Sequence, residues 1–453
     1  MSALYSDQVL LPDGLQAAVV RVEGARIREV EQLAEGAAVP DDAIDLSGHL
    51  ITPALVNAHT HLPMSSLRSL GGVAARQGNV VEEVWFAIES RLTAADVRAF
   101  TRWAALECLL CGTGAVFEHY YFGRAVADAL ADVGMSGVIA PTLQDVNGPG
   151  VRDLEEQLAA TLAIRDDDAL AERGIVAVWG PHATDTVSPT LWRTLLDAAD
   201  LPVHIHVAQS IEELRRAAAK GRTPVELLDE AGALQRTCLL VHGLYVTDAD
   251  REMLDPAKHL FGHCPWSQTQ FAWPAPVDRW LDGGFQLAVG TDAGACNDSM
   301  NVQQELRLMA CGPAYGLAGF DAFARTGTLD AAEGLEARRR YAQQRGARRA
   351  DPRWLLSTVG EGPGRLVPHL GLGRLAAGAL ANVAIWDLSH PALWPAFDPL
   401  RSLAFGDAAP ALHGLVVAGQ WVGELGRVRA VLEHDDVAQW RQEAAERLAA
   451  LLS

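Results

Sequence analysis

The chain has 453 residues, of which 49% are apolar, so it can bury a large hydrophobic core. A formal charge of −20 and a pI near 5.1 argue against nucleic acid, anionic membranes and polyanionic substrates, and favour a neutral or cationic small molecule. The N-terminus lacks a basic and apolar leader, and no apolar run is long enough to cross a bilayer. We therefore expect a cytoplasmic protein.

Residues 1–52 alternate short apolar runs with Gly, Asp and Pro turns, which is typical of small antiparallel β structure. From there to about residue 368, short β-rich runs alternate with longer helical segments, several of which open on a capping residue such as Thr93 or Ser188. Eight alternations predict a (β/α)₈ barrel, although the pattern alone also allows an open sheet. The predicted strands are 50–56, 114–119, 137–142, 175–180, 202–207, 237–241, 259–262 and 285–290.

Residues 369–453 return to β character and end in a helical pattern. Because this segment resembles residues 1–52 in composition, we expect the two ends to build one small β domain beside a barrel formed by residues 53–368. Residues 71–79 have the composition of a mobile loop, at a position where a lid could cover a site.

Histidine or acid side chains close most of the predicted strands, where barrel enzymes carry their catalytic groups. His59 and His61 lie one residue apart and therefore point to the same face of a strand. Neutral imidazoles held side by side suit a divalent transition metal, whereas an isolated pair of this kind is often a turn or surface feature. Later strands end in His119, His182, His206, His242, His263 and Asp292.

Some of these residues have structural alternatives. His242 follows an apolar run and could be a core histidine, while Asp292 could cap the next helix. A carboxylate is nevertheless the anionic ligand and base that the cluster otherwise lacks. Of His204 and His206, only one needs to face a site, and we expect His204 to lie behind it.

With these motifs in hand, the chain resembles the amidohydrolase superfamily, in the branch of S-adenosylhomocysteine/methylthioadenosine deaminases, guanine-type deaminases and s-triazine chlorohydrolases. The resemblance implies a distorted (β/α)₈ barrel, a β-sandwich built from both termini, and a homo-oligomer of two or more copies. The residues that carry it are 57–64 (Asn-Ala-His-Thr-His-Leu-Pro-Met), 85–93, 107–121, 180–188, 203–210, 289–294, 373–387 and 413–422.

The resemblance also implies roles. One divalent ion, Zn²⁺ or alternatively Fe²⁺, would be held by His59, His61, His206 and Asp292. His242 would hydrogen-bond the metal-bound water, and Asp292 would accept its proton. Contacts with a small planar heterocyclic substrate would come from His182, Trp85, Glu89 and Trp266.

Two departures from the family pattern bear on function. The family's proton-carrying glutamate is replaced by Gln209, and an amide cannot cycle a proton at neutral pH. Another group could carry the proton (Glu212, Glu213, Glu118 or His119), the leaving group could need less protonation, or turnover could be weak. The family's Asn-Pro-x-Ser-Asn pattern is also altered, and the changed wall includes Cys264, Trp266, Gln268 and, nearby, Trp273.

The sequence therefore predicts a metal-dependent hydrolase, first of all an aminohydrolase that attacks an sp² carbon of a planar nitrogen heterocycle with a metal-bound hydroxide. One alternative is a hydrolase of the same architecture that displaces halide or alkylamine or opens a ring amide. Another is a metal-retaining binding protein with little turnover, because of Gln209.

Overall fold

The computed structural model describes residues 2–34, 36–70, 80–271, 275–315 and 326–452, and the lid predicted at 71–79 lies outside them. In the described ranges the strands are β1 (Ser2–Leu11), β2 (Gly14–Glu23), β3 (Arg26–Gln32), β4 (Ile44–Asp45), β5 (His49–Pro53), β6 (Leu55–His61), β7 (Thr113–Tyr120), β8 (Ser136–Leu143), β9 (Ile175–Ala177), β10 (Gly180–Pro181), β11 (Val203–Val207), β12 (Cys238–His242), β13 (His259–His263), β14 (Gln286–Val289), β15 (Asp292–Ala293), β16 (Val383–Asp387), β17 (Leu412–Val417) and β18 (Gln420–Trp421).

The α-helices lie mainly between the strands of the central part of the chain. Their bounds are Phe86–Glu89, Ala94–Leu110, Gly123–Val133, Leu154–Arg165, Asp168–Glu172, Pro189–Ala198, Ile211–Ala218, Pro224–Glu230, Asp248–Glu252, Pro265–Phe271, Val277–Asp282, Gly294–Asn297, Val302–Tyr315, Leu329–Arg349, Pro352–Ser357, Glu361–Gly364, Pro399–Phe405 and Asp435–Leu452. Among these described helices, none combines the length and hydropathy that a bilayer crossing requires.

Two predicted helix starts show why these segments are helical. The Thr93 hydroxyl accepts from the Asp96 N–H, while the Asp96 carboxylate accepts from the Thr93 N–H. Each side chain thus provides an acceptor for a backbone N–H that has no partner within the helix. The Ser188 hydroxyl accepts from the Leu191 N–H, and proline occupies the next position, where no N–H is needed.

Both ends of the chain contribute to one sheet, in the order β18-β17-β16-β5-β1-β2-β3, with β4 beside β1. β1 and β2 are antiparallel, β5 is parallel to β1, and β16 pairs antiparallel with β5 from Val383 opposite Pro53 to Asp387 opposite His49. The C-terminal segment is therefore tied to the N-terminal one directly at the start of the barrel.

The central part of the chain forms a ring of parallel strands. β6, β7 and β8 pair in sequence, β9 and β10 both pair with β8, and β11 to β14 form a second run. Parallel bridges from Trp179 to Val203 and from Ala183 to His206 join the two runs. β15 returns to β6, with Asp292 opposite Thr60. The predicted (β/α)₈ barrel is confirmed, and it is distorted because its fourth and eighth strands are each split in two.

The prediction of one continuous strand over residues 50–56 is wrong. The apolar run belongs to two strands in different sheets, β5 and β6, which change partners at Pro53 and Ala54. Pro53 has no N–H to extend a ladder, and the Ala54 N–H donates to Asn382 O while the Leu55 N–H donates to Gly112 O. Hydrophobicity alone could not reveal this switch. The other seven predicted strands each overlap an observed one.

Trp386 of β16 packs the terminal sheet against the barrel. Its side chain is fully buried, and its indole N–H donates to the Thr52 hydroxyl at 3.0 Å. Gly112, at φ +82°, leaves the space for the ring, because a Cβ there would lie 2.4 Å from the Trp386 Cη2 atom. The indole therefore fills a gap that only glycine leaves open.

Replacing Trp386 by alanine is expected to lower the free energy of unfolding by about 3–5 kcal/mol, since it leaves a large cavity and an unpaired Thr52 hydroxyl. Urea unfolding followed by circular dichroism measures the loss. Trp103→Ala is the control, because Trp103 is 41% exposed and its removal should cost no more than ~1 kcal/mol. Equal losses in both variants would contradict this account of Trp386.

Candidate metal centre and cavity

Four ligand atoms from the strand ends converge at one point. His206 Nε2 lies 3.2 Å from His59 Nε2 and 3.4 Å from His61 Nε2. Asp292 Oδ1 lies 3.4 Å from His61 Nε2 and 3.8 Å from His59 Nε2. These residues come from β6, β11 and β15, so the cluster exists only in the closed barrel.

The spacing fits a metal ion. A tetrahedral ion with ligands at about 2.0–2.1 Å separates neighbouring donor atoms by ~3.4 Å. The four separations given above, 3.2–3.8 Å, surround that value. Three imidazole nitrogens and one carboxylate oxygen form a donor set that suits Zn²⁺ and related divalent ions.

Hydrogen bonds on the far side of each ring aim the imidazoles inward. His61 Nδ1 donates to the His119 carbonyl at 2.5 Å, and His206 Nδ1 donates to the His182 carbonyl at 2.9 Å. His59 Nδ1 lies 2.8 Å from His204 Nε2, so His204 stands behind the cluster. With Nδ1 protonated, the Nε2 lone pairs face one another. Burial lowers the pKa of His59, His61 and His206, which keeps these rings neutral.

Unusual backbone conformations occur where the strands end at the cluster. Ala208, His242 and Asp292 have φ values of +49°, +74° and +63°, although none is glycine. Such conformations cost on the order of 1–3 kcal/mol each and cluster at functional sites. Here they turn the chain sharply after β11, inside the end of β12 and at the start of β15.

Hydrogen bonds from Ser267 and Ala293 hold Asp292 in place, and contacts with Gln268 hold His242. The Ser267 hydroxyl donates to Asp292 Oδ2 at 2.7 Å, and the Ala293 N–H donates to Asp292 Oδ1 at 2.9 Å. The His242 ring stacks on His206 at a centroid distance of 5.5 Å. Gln268 Nε2 lies 3.3 Å from both the His242 carbonyl and His242 Nδ1.

The Gln268 contacts define the proton position on His242. A carbonyl oxygen only accepts, so the Gln268 atom facing the His242 carbonyl must be the amide nitrogen. The same NH₂ group faces Nδ1, which must therefore accept and leave the ring proton on Nε2. The Gln268 side chain also interacts with His263. Burial lowers the pKa of His263 to about 3, and the interaction with Gln268 opposes that shift.

A cavity of about 270 Å³ opens over the cluster. Its lining includes most of the side chains that the sequence predicts for a site: His61, His206, His242, Asp292, Gln209, His182, Trp85 and Glu89. His59 is fully buried. Lining residues that the sequence analysis did not assign to a substrate include Glu82, Phe86, Tyr120, Tyr121, Asp185 and Thr186. All of them except Glu82 lie within the motif ranges 85–93, 107–121 and 180–188, and that membership was the available signal.

Hydrogen bonds fix the His182 ring and the Gln209 backbone, and burial changes the pKa of Glu89. His182 Nδ1 lies 3.0 Å from the Thr186 hydroxyl, so its Nε2 remains for the cavity. Burial raises the pKa of Glu89 to about 7, and the Tyr120 hydroxyl opposes the shift. The Gln209 N–H donates to Glu213 Oε2 at 2.9 Å, which fixes the backbone that carries the Gln209 side chain.

The four groups considered as substitutes for a glutamate at position 209 fall into two classes. Glu118 accepts from the Thr60 hydroxyl and the Leu62 N–H, and Glu213 accepts from Thr184 and Gln209, so both act in holding local structure. Glu212 and His119 line the cavity.

Trp266 is not brought to the cavity. Its side chain is 42% exposed and is not among the lining residues in the described part of the chain. The backbone N–H of Trp266, in the first turn of helix Pro265–Phe271, donates to the Glu305 carboxylate. The next two residues, Ser267 and Gln268, line the cavity. The helical turn, which a linear motif does not show, directs the indole outward. Trp273 lies outside the described residues.

Comparisons with known proteins agree with this geometry. Residues 50–336 match the model of the amidohydrolase family. A 5-methylthioadenosine/S-adenosylhomocysteine deaminase of Haloarcula marismortui is 30% identical over 91% of this chain and 89% of its own. A 5'-deoxyadenosine deaminase of Methanopyrus kandleri is 28% identical over 90% of this chain and 89% of its own.

Two solved structures share the fold. A zinc-bound adenosine deaminase from Xanthomonas campestris superposes with a TM-score of 0.78 at 23% identity, over 99% of this chain and 98% of that one. Atrazine chlorohydrolase from Arthrobacter aurescens, complexed with zinc, gives a TM-score of 0.78 at 20% identity over all of both chains.

The Gln268 geometry predicts the His242 tautomer. In the unaltered protein, ¹⁵N NMR of labelled histidine should show His242 protonated on Nε2, and Gln268→Glu should move a proton to Nδ1, because a carboxylate accepts. Gln303→Met is the control, since Gln303 is buried and donates instead to the carbonyls of Leu403 and Gly406. An Nδ1-protonated His242 in the unaltered protein would contradict the assignment.

Proposed function

Since the chain belongs to the amidohydrolase family, we propose that it is a metal-dependent aminohydrolase that replaces an amino group on a planar nitrogen heterocycle by oxygen from water, releasing ammonia. The observation that carries the proposal is the cluster of His59, His61 and His206 nitrogens beside an open cavity, with Asp292 Oδ1 3.4 Å from His61 Nε2 and 3.8 Å from His59 Nε2. Curated relatives that align over about nine-tenths of the chain are named as deaminases of adenosine-type compounds, whose adenine ring has the required amino group.

The metal would be one divalent ion, Zn²⁺ rather than Fe²⁺, held by His59, His61, His206 and Asp292. Support comes from the donor set, from its spacing and from the zinc in both structural neighbours. A divalent ion that takes a water in addition to these four donors would lower the pKa of that water towards ~7 and so supply a nucleophile at neutral pH.

Asp292 and His242 would manage the proton and the developing charge. Asp292 accepts the proton of the attacking water, while the Ser267 hydroxyl keeps its carboxylate oriented. His242, protonated on Nε2, donates a hydrogen bond to the oxygen on which negative charge develops. This division of roles follows from the Gln268 contact, because a ring protonated on Nε2 donates there rather than accepts.

The substrate ring would lie between the cluster and the aromatic side of the cavity. His182 Nε2 can contact a ring nitrogen, and Trp85 and Glu89 also line the cavity. The Phe86 ring lies 5.7 Å from His182, which leaves apolar surface for a planar ligand. We keep Trp266 out of this set because its indole faces solvent.

Gln209 favours a second candidate function. Ammonia leaves a ring only after protonation, and a neutral amide cannot deliver that proton. Halide leaves without one, so displacement of halide from a chlorinated heterocycle is the alternative that Gln209 supports. For deamination, Glu212 would carry the proton, since of the three glutamates considered as substitutes for position 209 it is the one that lines the cavity. A binding protein that keeps its metal with little turnover is the remaining alternative.

Three further expectations stay proposals. A boundary between domains at residues 52/53 and 368/369, an assembly of two or more copies, and a cytoplasmic location follow from composition or from the family resemblance.

Metal content tests the centre directly. His61→Ala and His206→Ala should each lose most of the bound metal, because each removes one of the three clustered imidazole donors. Elemental analysis of purified protein, with the exposed His434→Ala as control, measures the ratio of metal to chain. Less than about half an equivalent of divalent metal in the unaltered, zinc-supplemented protein would contradict the proposed metal centre.

Turnover by the metal-loaded protein tests the reaction. Adenosine-type nucleosides, guanine, pterins and chlorinated triazines are assayed for ammonia and for chloride. Ammonia release is expected from the unaltered protein, and Gln209→Glu should raise kcat for ammonia about 10–100-fold, because a carboxyl can cycle the proton. Chloride release without ammonia would instead establish the second candidate, and binding without either product the third.

A further inference from the structure

Three carboxylates from separate elements line the cavity towards its mouth. Glu82 lies in the turn Val81–Trp85, Asp185 follows His182, and Glu212 lies in helix Ile211–Ala218. Their side chains are 28%, 10% and 40% exposed, respectively. Among the lining residues that the structure describes, there is no lysine or arginine.

The arginines behind this wall are already engaged. Arg216 Nη1 lies 2.7 Å from Glu82 Oε1 and 2.7 Å from Asp185 Oδ2, and hydrogen bonds to these two acids raise its pKa. Glu212 and Arg215 are 3.8 Å apart with largely exposed side chains, so water screens their attraction. The wall therefore presents more negative than positive charge to a ligand.

Glu89 extends the same character deeper into the cavity. Glu89 is only 6% exposed, and it lines the cavity. Beside it lies the Tyr120 hydroxyl, whose interaction with the carboxyl opposes the rise that burial causes in the Glu89 pKa. A buried carboxyl open to a cavity requires a ligand that brings hydrogen-bond donors or positive charge.

We propose that this cavity selects heterocycles whose remaining substituents are neutral or cationic, and rejects those that carry a carboxylate or phosphate. The inference rests on the proposed function and specifies its substrate class. For adenosine-type compounds, a 5′-methylthio or 5′-deoxy substituent is accepted, and an aminoalkylthio substituent is accepted at least as well. The carboxylate of S-adenosylhomocysteine would face Glu82, Asp185 and Glu212 without an available counter-charge.

Binding measured by isothermal titration calorimetry on the zinc-loaded protein tests this inference without requiring turnover. The ligands are 5′-methylthioadenosine, 5′-(2-aminoethylthio)-5′-deoxyadenosine, S-adenosylhomocysteine and adenosine 5′-monophosphate. The two ligands with negatively charged groups are expected to bind at least ~30-fold more weakly than the neutral one, because like charges meet in a partly desolvated cavity. Comparable affinities for 5′-methylthioadenosine and S-adenosylhomocysteine would overturn the inference, and so would no binding by any of the four.

Variants distinguish charge selection from shape. Glu212→Gln should improve the binding of S-adenosylhomocysteine relative to 5′-methylthioadenosine by about 3–10-fold, whereas Glu155→Gln, on the exposed face of helix Leu154–Arg165, should change neither. Arg76 lies outside the described residues and is the one lysine or arginine between residues 70 and 80. Tight S-adenosylhomocysteine binding that Arg76→Ala abolishes would show a counter-charge and overturn the inference. Selective binding without ammonia release would uphold the inference while refuting the proposed deamination.

Discussion

The centre depends on the pairing of β15 with β6, because Asp292 meets His61 only where the eighth strand returns to the first. Gly290 permits this approach, since a Cβ there would lie 2.6 Å from the His59 backbone nitrogen. Asn57 then fixes the register. Its side-chain oxygen accepts from the Thr291 N–H at 2.9 Å, and its amide nitrogen donates to the Thr291 hydroxyl at 2.8 Å. The first motif therefore contains two of the proposed metal ligands and also the residue that positions a third.

Closure of the barrel also explains why the strained backbone is stable. Asp292 stays at φ +63° while its carboxylate is held by Ser267 and its neighbour Thr291 is held by Asn57. His242, at φ +74°, is likewise held through its carbonyl by Gln268. In each case a side chain from another element bonds the distorted segment, so the surrounding fold and not local preference determines the direction of the functional group.

The sequence predicted the barrel and the proximity of His59, His61, His206 and Asp292 because both follow from short-range regularities. Parallel strands that end in histidine or aspartate must bring those side chains to one rim, whatever the connecting segments do. The change of sheet at Pro53 was missed because an apolar run does not reveal which strand it pairs with. Trp266 was misplaced because one helical turn separates the directions of neighbouring side chains. Glu82 and Asp185 meet through Arg216, 31 residues beyond Asp185, a contact between distant segments that single-sequence patterns do not contain.

Gln209 and the cavity carboxylates Glu82, Asp185 and Glu212 would affect different steps, and the two effects can be separated physically. Gln209 changes the supply of a proton, which matters only after the substrate is bound. Under the proposed selectivity, these carboxylates would act on the whole ligand before any bond breaks, and their effect would persist whether or not a proton can be delivered. A ligand can therefore bind with the selectivity of a nucleoside deaminase and still turn over slowly. Ligand affinity would measure the effect of the cavity carboxylates, whereas the rate of ammonia release would measure the effect of Gln209. Low turnover alone would therefore not argue against a nucleoside ligand.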